Sequence, residues 1–161
     1  MNQENKLKEH LIKLLEGGDA HKRFGEVVKS FPSEYMNSKA PNFPYTFWHL
    51  LEHIRIAQWD ILEYIRNPEH ESPSWPDGYW PGENQKADTS VWKRTVTQIV
   101  HDLEVLKELV KDPGTDLSSP LPESSEHNIL REILIVADHN AYHLGEFAVL
   151  RRVVIGKNLP L

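Results

Sequence analysis

The chain has 161 residues, a length that suits one domain able to bury roughly 70% of the surface that its unfolded form would expose. A composition of 39% hydrophobic and 26% charged residues excludes a disordered chain, and the absence of cysteine excludes disulfides and thiolate metal ligands. The net charge of −6 gives no global attraction for nucleic acid or for an anionic membrane. The N-terminus is polar, and the sequence contains no apolar stretch of about 18 residues. We therefore expect a cytoplasmic protein with one domain over residues 1–161. We expect neither a nucleic-acid partner nor a membrane partner.

The N-terminal part predicts one helix in two pieces. Apolar residues recur at helical spacing over residues 7–15 and again up to Phe31, and Gly17 and Gly18 interrupt them. Residues 32–44 contain three prolines and predict a long loop that returns the chain to the other end of the fold.

A second helix is predicted over residues 45–66, where apolar residues form a wide stripe that Pro68 ends. The loop that follows is rich in proline, glycine and aromatic residues, especially over residues 73–82. A flexible linker would not carry two tryptophans and a tyrosine, so we expect this loop to pack back on the domain. It either roofs a cavity or covers one end of the core.

Two further helices complete the predicted fold. One is capped by Asp88, Thr89 or Ser90 and ends before Pro113, and the other begins near Glu126. Gly156 is the expected C-cap of the last helix, where Arg151 and Arg152 are placed to favour the helix dipole. Four long helices, long loops between them and no strand pattern predict an all-α four-helix bundle.

Histidines in the second and fourth predicted helices indicate a metal site. His139 and His143 are one helical turn apart, so both imidazoles can reach one ion. The candidate third ligand is His53, among apolar residues, and His49, one turn earlier, could replace it or lie beside it. Three neutral imidazoles suit Zn, Ni, Fe or Cu and leave coordination positions open for water or substrate. The alternative is that each histidine is a hydrogen-bonded core residue.

Carboxylates near these histidines are candidate bases or hydrogen-bond partners of the ligands. Glu146 lies three residues after His143 and is the candidate catalytic residue, and Glu52 and Asp60 are further possibilities. The residue after His139 is Asn140, so the general base of an HExxH protease is missing. The aromatic residue of this string, a tyrosine at position 142, either hydrogen-bonds into the cavity or packs.

The combined motifs resemble one known family. The string His139-Asn140-Ala141-Tyr142-His143-Leu144-Gly145-Glu146, followed by Leu150-Arg151-Arg152, closely resembles the DinB/YfiT-like metal-binding superfamily. Residues 51–62 and Tyr79-Trp80-Pro81 resemble its other signatures. The resemblance implies a four-helix bundle, commonly dimeric, in which His53, His139 and His143 bind a divalent metal.

Three functional hypotheses follow from these residues and from the resemblance. Some members of this family are S-transferases or isomerases that use low-molecular-weight thiols such as bacillithiol or mycothiol. The first hypothesis is therefore a metalloenzyme that activates a thiol or water for transfer or hydrolysis on a small molecule. The second is a non-catalytic module that binds a metal or small ligand. The third is a helical interaction protein in which the histidines are structural.

Overall fold

The computed structural model describes residues 3–122 and 124–156 and is mostly helical. Its five helices are α1 (Gln3–Glu16), α2 (Phe24–Val28), α3 (Phe47–Arg66), α4 (Thr89–Lys111) and α5 (Ile129–Ile155). Two short 3-10 helices, Ser33–Tyr35 and Asp77–Tyr79, lie in the loops before and after α3. The predicted all-α fold is confirmed. Within the described residues, no helix is both long and apolar enough to cross a membrane.

Polar caps determine where the long helices begin. The side chains of Thr46, Asp88 and Asn128 accept hydrogen bonds from backbone N–H groups in the first turns of α3, α4 and α5. Asp88 is therefore the cap among the three candidates at the start of α4. The capping geometry also explains why α3 and α5 begin slightly later than the apolar pattern predicted. Gly156 follows the last turn of α5 with a φ of 102°, a conformation that favours glycine.

Two local features differ from the sequence prediction. The predicted broken first helix is a 14-residue α1 and a separate single-turn α2, joined through Gly17 and Gly18, both at positive φ. Strands β1 (Pro120–Leu121) and β2 (Ser124–Asn128) form a small antiparallel sheet in the connection before α5, where only a loop was expected. The apolar pattern missed this sheet because β2 consists of polar residues without alternation.

The buried apolar residues form two clusters along the bundle. The site-side core includes Leu50, Leu51, Ile54, Leu144 and Phe147, and the distal core includes Leu11, Leu62, Leu106, Val110 and Ile133. A buried polar contact links three helices. Gln58 of α3 donates to the carbonyl of Ile99 in α4 at 2.7 Å and accepts from the Asn140 amide of α5 at 2.8 Å. Both hydrogen bonds form only at one relative position of the helices along their axes, so they align α3 with α5.

Candidate metal centre

The structure brings together the three histidines that the sequence singled out. His53 projects from the N-terminal part of α3, and His139 and His143 project from the middle of α5. The Nε2 atom of His53 lies 3.1 Å from Nε2 of His139 and 3.1 Å from Nε2 of His143. The possible ligand atoms of the three residues all lie within 4.8 Å of one another. Residues 86 or more positions apart in sequence thus meet at one point.

The second ring nitrogen of two histidines is held by an acceptor. Nδ1 of His53 donates to the backbone carbonyl of Tyr79 at 2.9 Å, and Nδ1 of His143 donates to the Glu146 carboxylate at 2.9 Å. A carbonyl and a carboxylate accept only, so a neutral imidazole facing them carries its proton on Nδ1. In that neutral form, the Nε2 atoms of His53 and His143 present lone pairs towards each other, and this is the tautomer in which an imidazole binds a metal ion through Nε2.

Each of these acceptors is itself fixed by another contact. The Glu146 carboxylate also accepts a hydrogen bond from the Tyr45 hydroxyl. The Tyr79 hydroxyl donates to Asp60 at 2.6 Å, and His70 contacts the other oxygen of Asp60 at 2.7 Å. Asp60 therefore acts on the histidine cluster indirectly, by holding the segment whose carbonyl orients His53.

The aromatic loop forms one wall of the cluster. The Trp80 ring stacks on His53 with a centroid distance of 4.0 Å and an interplanar angle of 2°. Tyr45 also stacks on Trp80, with a centroid distance of 4.8 Å. Trp75, in contrast, is 75% exposed. The loop therefore packs on the histidine site through Trp80 and Tyr79, which decides between the two positions considered for it.

The residue at position 142 lies at the edge of this site. Its ring meets the His143 ring edge-on at 4.8 Å, yet the side chain is 70% exposed. Tyr142 therefore packs beside the cluster and keeps most of its surface in solvent.

Burial disfavours protonation of two of the three histidines, His53 and His139. It lowers the pKa of His53 below the ordinary value, despite the hydrogen bond to Tyr79. Burial, reinforced by the neighbouring His143 and His53, also lowers the pKa of His139 to about 4. At neutral pH these imidazoles are in the unprotonated form that binds a metal ion.

Two of the candidate site residues lie elsewhere. His49 is buried, but its Nε2 contacts the backbone carbonyl of Gln85 at 2.9 Å, so it serves to hold the loop before α4. Glu52 accepts from the Thr95 hydroxyl at 2.7 Å and pairs with Arg55. Both residues are close to His53 in sequence, but His49 is one helical turn away and Glu52 is the adjacent residue, so their side chains leave α3 in different directions and meet different neighbours.

Sequence reasoning missed Tyr45 and the contact of His53 with a backbone carbonyl. Tyr45 meets Glu146 across 101 positions of sequence, and no local motif encodes such a pair. A backbone acceptor has no sequence signal at all. The aromatic motif Tyr79-Trp80 was the only indication that this loop contributes to the site.

The donor set fits a divalent transition metal. With metal–nitrogen bonds of about 2.05 Å, two imidazole nitrogens at a tetrahedral angle are about 3.3 Å apart. The observed separations of 3.1 Å from the His53 nitrogen are close to this value. Three ligands would leave at least one coordination position open. The three-histidine cluster could therefore hold one metal ion.

A mostly helical bundle with a buried three-histidine cluster defines a class of potential metal-binding proteins. The chain belongs to the DinB superfamily, whose family model matches residues 18–147 and so spans both histidine-bearing helices. The comparisons with curated proteins and with solved structures found no match.

Proposed function

We propose that the protein binds one divalent transition metal ion through Nε2 of His53, His139 and His143, and uses it on a small-molecule substrate. The observation that supports this most is the orientation of the His53 and His143 rings. Their Nε2 lone pairs face each other at 3.1 Å while both Nδ1 atoms donate elsewhere. Two facing lone pairs repel unless a cation or a shared proton lies between them.

The proposed activity is transfer of a low-molecular-weight thiol or hydrolysis of a small electrophile. A metal bound in this ligand set would act as a Lewis acid that makes a thiol or water nucleophilic at neutral pH. The aromatic wall around His53 would exclude water from one side of the site, because Trp80 covers the face of the ring. Zn, Ni and Fe all suit imidazole ligands.

Within this proposal, Glu146 orients a ligand and does not act as a free base. Both carboxylate oxygens are engaged, one by His143 and one by Tyr45. Burial, with the hydrogen bond to Glu146, raises the pKa of Tyr45, so this hydroxyl keeps its proton and continues to donate. The pair would fix the His143 ring in the tautomer that binds metal.

The engagement of both Glu146 oxygens also supports the second hypothesis, a non-catalytic module. The carboxylate nearest the cluster already accepts from two donors, one on each oxygen, so neither oxygen is unengaged. A binding module would hold the metal or a small ligand without turnover. Assaying the metal-loaded protein against thiol-transfer and ester substrates separates the two functions.

A homodimer remains part of the proposal, as the family resemblance implied. Its candidate face is one side of α5, where four large apolar side chains are exposed: Leu134, Tyr142, Val149 and Val153. Their spacing places them within one stripe of the helix. The cytoplasmic location is also retained as a proposal.

Elemental analysis of protein purified without a histidine tag tests the metal site. We expect about one metal ion per chain in the wild type and loss of that metal in His53→Ala, His139→Ala and His143→Ala. His49→Ala is the matched control, because His49 is equally buried on α3 but lies outside the cluster. Absence of metal after reconstitution with Zn, Ni and Fe, or equal loss in the control, would contradict the proposal.

A further inference from the structure

The second ring nitrogen has a hydrogen-bond acceptor in two of the clustered histidines, and the described residues provide none at ordinary distance for the third. Nδ1 of His53 faces the Tyr79 carbonyl and Nδ1 of His143 faces the Glu146 carboxylate, each at 2.9 Å. His139 presents Nε2 to the cluster, 3.1 Å from Nε2 of His53, so Nδ1 is the nitrogen left for a partner. The proton of a neutral imidazole lies on either nitrogen unless a neighbour fixes it. The tautomer of His139 therefore depends on what lies beside Nδ1.

The next residue, Asn140, carries an acceptor that no other contact uses. Its Oδ1 is buried and has no hydrogen-bond partner in the part of the chain that the structure describes. Burial is the largest influence on the pKa of His139 and lowers it, whereas the Asn140 side chain acts in the opposite direction and raises that pKa. A neighbour raises the pKa of an imidazole when it accepts a hydrogen bond from the ring. The Asn140 side chain therefore meets the His139 ring with its oxygen.

A chain of hydrogen bonds independently fixes the orientation of the Asn140 amide. It begins at the backbone carbonyl of Ile99 in α4, which can only accept, so the Gln58 atom 2.7 Å away is the amide nitrogen. The oxygen of Gln58 then faces Asn140 at 2.8 Å and needs the amide nitrogen of Asn140 as its donor. The one polar atom of Asn140 that this chain leaves unused is Oδ1, an acceptor. The backbone of α4 thus determines which amide atom is available to His139.

We propose that Asn140 is a positioning residue of the cluster, whose Oδ1 accepts from Nδ1–H of His139 and keeps Nε2 of that ring unprotonated. All three histidines then carry the proton on Nδ1 and direct an Nε2 lone pair towards one point. The role of this contact in metal binding rests on the proposed function. Outer hydrogen bonds of this kind orient metal-bound histidines and make them more basic ligands. The contact also connects α4 to the cluster through Gln58, although α4 contributes no ligand to it.

Nitrogen NMR of the imidazoles, recorded on chelator-treated protein at neutral pH, tests the tautomer directly. Long-range proton–nitrogen correlations distinguish protonated from unprotonated ring nitrogens, and the His139→Gln variant assigns the signals of His139. We expect His139 to be the Nδ1–H tautomer in the wild type. Asn140→Ala removes the acceptor and should shift His139 towards the Nε2–H tautomer, whereas Asn140→Asp keeps an acceptor and should retain Nδ1–H. Gln58→Leu should shift His139 in the same direction as Asn140→Ala, because the Asn140 amide loses the contact that fixes it.

Competition with a chelator for Zn gives the second measurement, and circular dichroism verifies that each variant folds. We expect Asn140→Ala to bind Zn about 10- to 100-fold more weakly than the wild type. Asp138→Ala is the matched control, because Asp138 is the other sequence neighbour of His139 and is exposed; it should leave the tautomer unchanged.

Three results would overturn the inference: an Nε2–H tautomer of His139 in the wild type, an unchanged tautomer in Asn140→Ala, or an equal change in Asp138→Ala. A wild type that binds no Zn would contradict the proposed function alone. The tautomer is measured in the metal-free protein, so it decides the role of Asn140 in either case.

Discussion

Replacing Glu146 with glutamine removes the charge that orients His143 and changes little else in shape. In the wild type, the carboxylate accepts from His143 Nδ1 at 2.9 Å and from the Tyr45 hydroxyl. The glutamine carbonyl can accept one of these hydrogen bonds, but its amide group only donates. One of the two donors therefore loses its partner, and the imidazole of His143 becomes a weaker and less oriented ligand.

The expected effect of Glu146→Gln is a 10- to 100-fold loss of metal affinity, or about 1.4–2.7 kcal/mol. The contact is partly buried, with 11% of the His143 side chain and 18% of the Glu146 side chain exposed, so solvent cannot fully replace it. Tyr45→Phe should cost less, because it leaves the carboxylate on His143 intact.

Competition with a chromogenic chelator for Zn at constant pH would measure these affinities. Glu52→Gln is the control, because that carboxylate lies on α3 with Arg55 and Thr95 as partners. Unchanged affinity in Glu146→Gln, or an equal loss in Glu52→Gln, would refute the reasoning that the Glu146 contact tunes the site.

Three further predictions concern the protein without metal, studied by urea unfolding in the presence of a chelator. Trp80→Ala removes the ring stacked on His53 and should lower the free energy of unfolding by about 1–2 kcal/mol; an unchanged midpoint would show that the stack contributes nothing. Asp102 is 3% exposed and its Oδ2 has no partner among the described residues. Burial raises the pKa of this carboxyl above its value in the unfolded chain, so the free energy of unfolding falls as the pH rises through the folded-state pKa. Asp102→Asn should therefore raise stability at pH 7 by roughly 1 kcal/mol, and the gain should disappear towards pH 4. The pKa of His139 falls from 6.5 to about 4 on folding, so the unfolded chain gains a proton first and stability declines as pH falls across that range. His139→Gln should remove up to about 3 kcal/mol of this decline. If the variant and the wild type have the same dependence of stability on pH, the decline does not come from His139.

The sequence predicted the site well where helical geometry controls it. His139 and His143 share a face because they are one turn apart, and the apolar stripe around His53 turns that residue inwards. The same geometry did not predict the partner of His49. Side chains four residues apart on a helix differ in direction by about 40°, so His49 meets a different neighbour from His53. Periodicity therefore locates a face of a helix but does not identify the partner.

Contacts across the fold could not be predicted in this way. Arg151 and Arg152 were both interpreted as cations that favour the dipole of the last helix, yet only Arg152 is exposed. Arg151 is turned into the protein by its position on the same face as Phe147. The polar strand β2 gave no signal, because its residues do not alternate between apolar and polar.

The polar contact between Gln58 and Asn140 has a consequence for the local opening of the bundle. It lies between the site-side core and the distal core, so the two apolar clusters meet across hydrogen bonds rather than through continuous packing. Each cluster can then open with its own free energy, as cooperative units within one domain do. A cation held by the histidines should slow amide hydrogen exchange in the N-terminal half of α3 and the C-terminal half of α5. Exchange in α1, which packs on the distal core, should change much less.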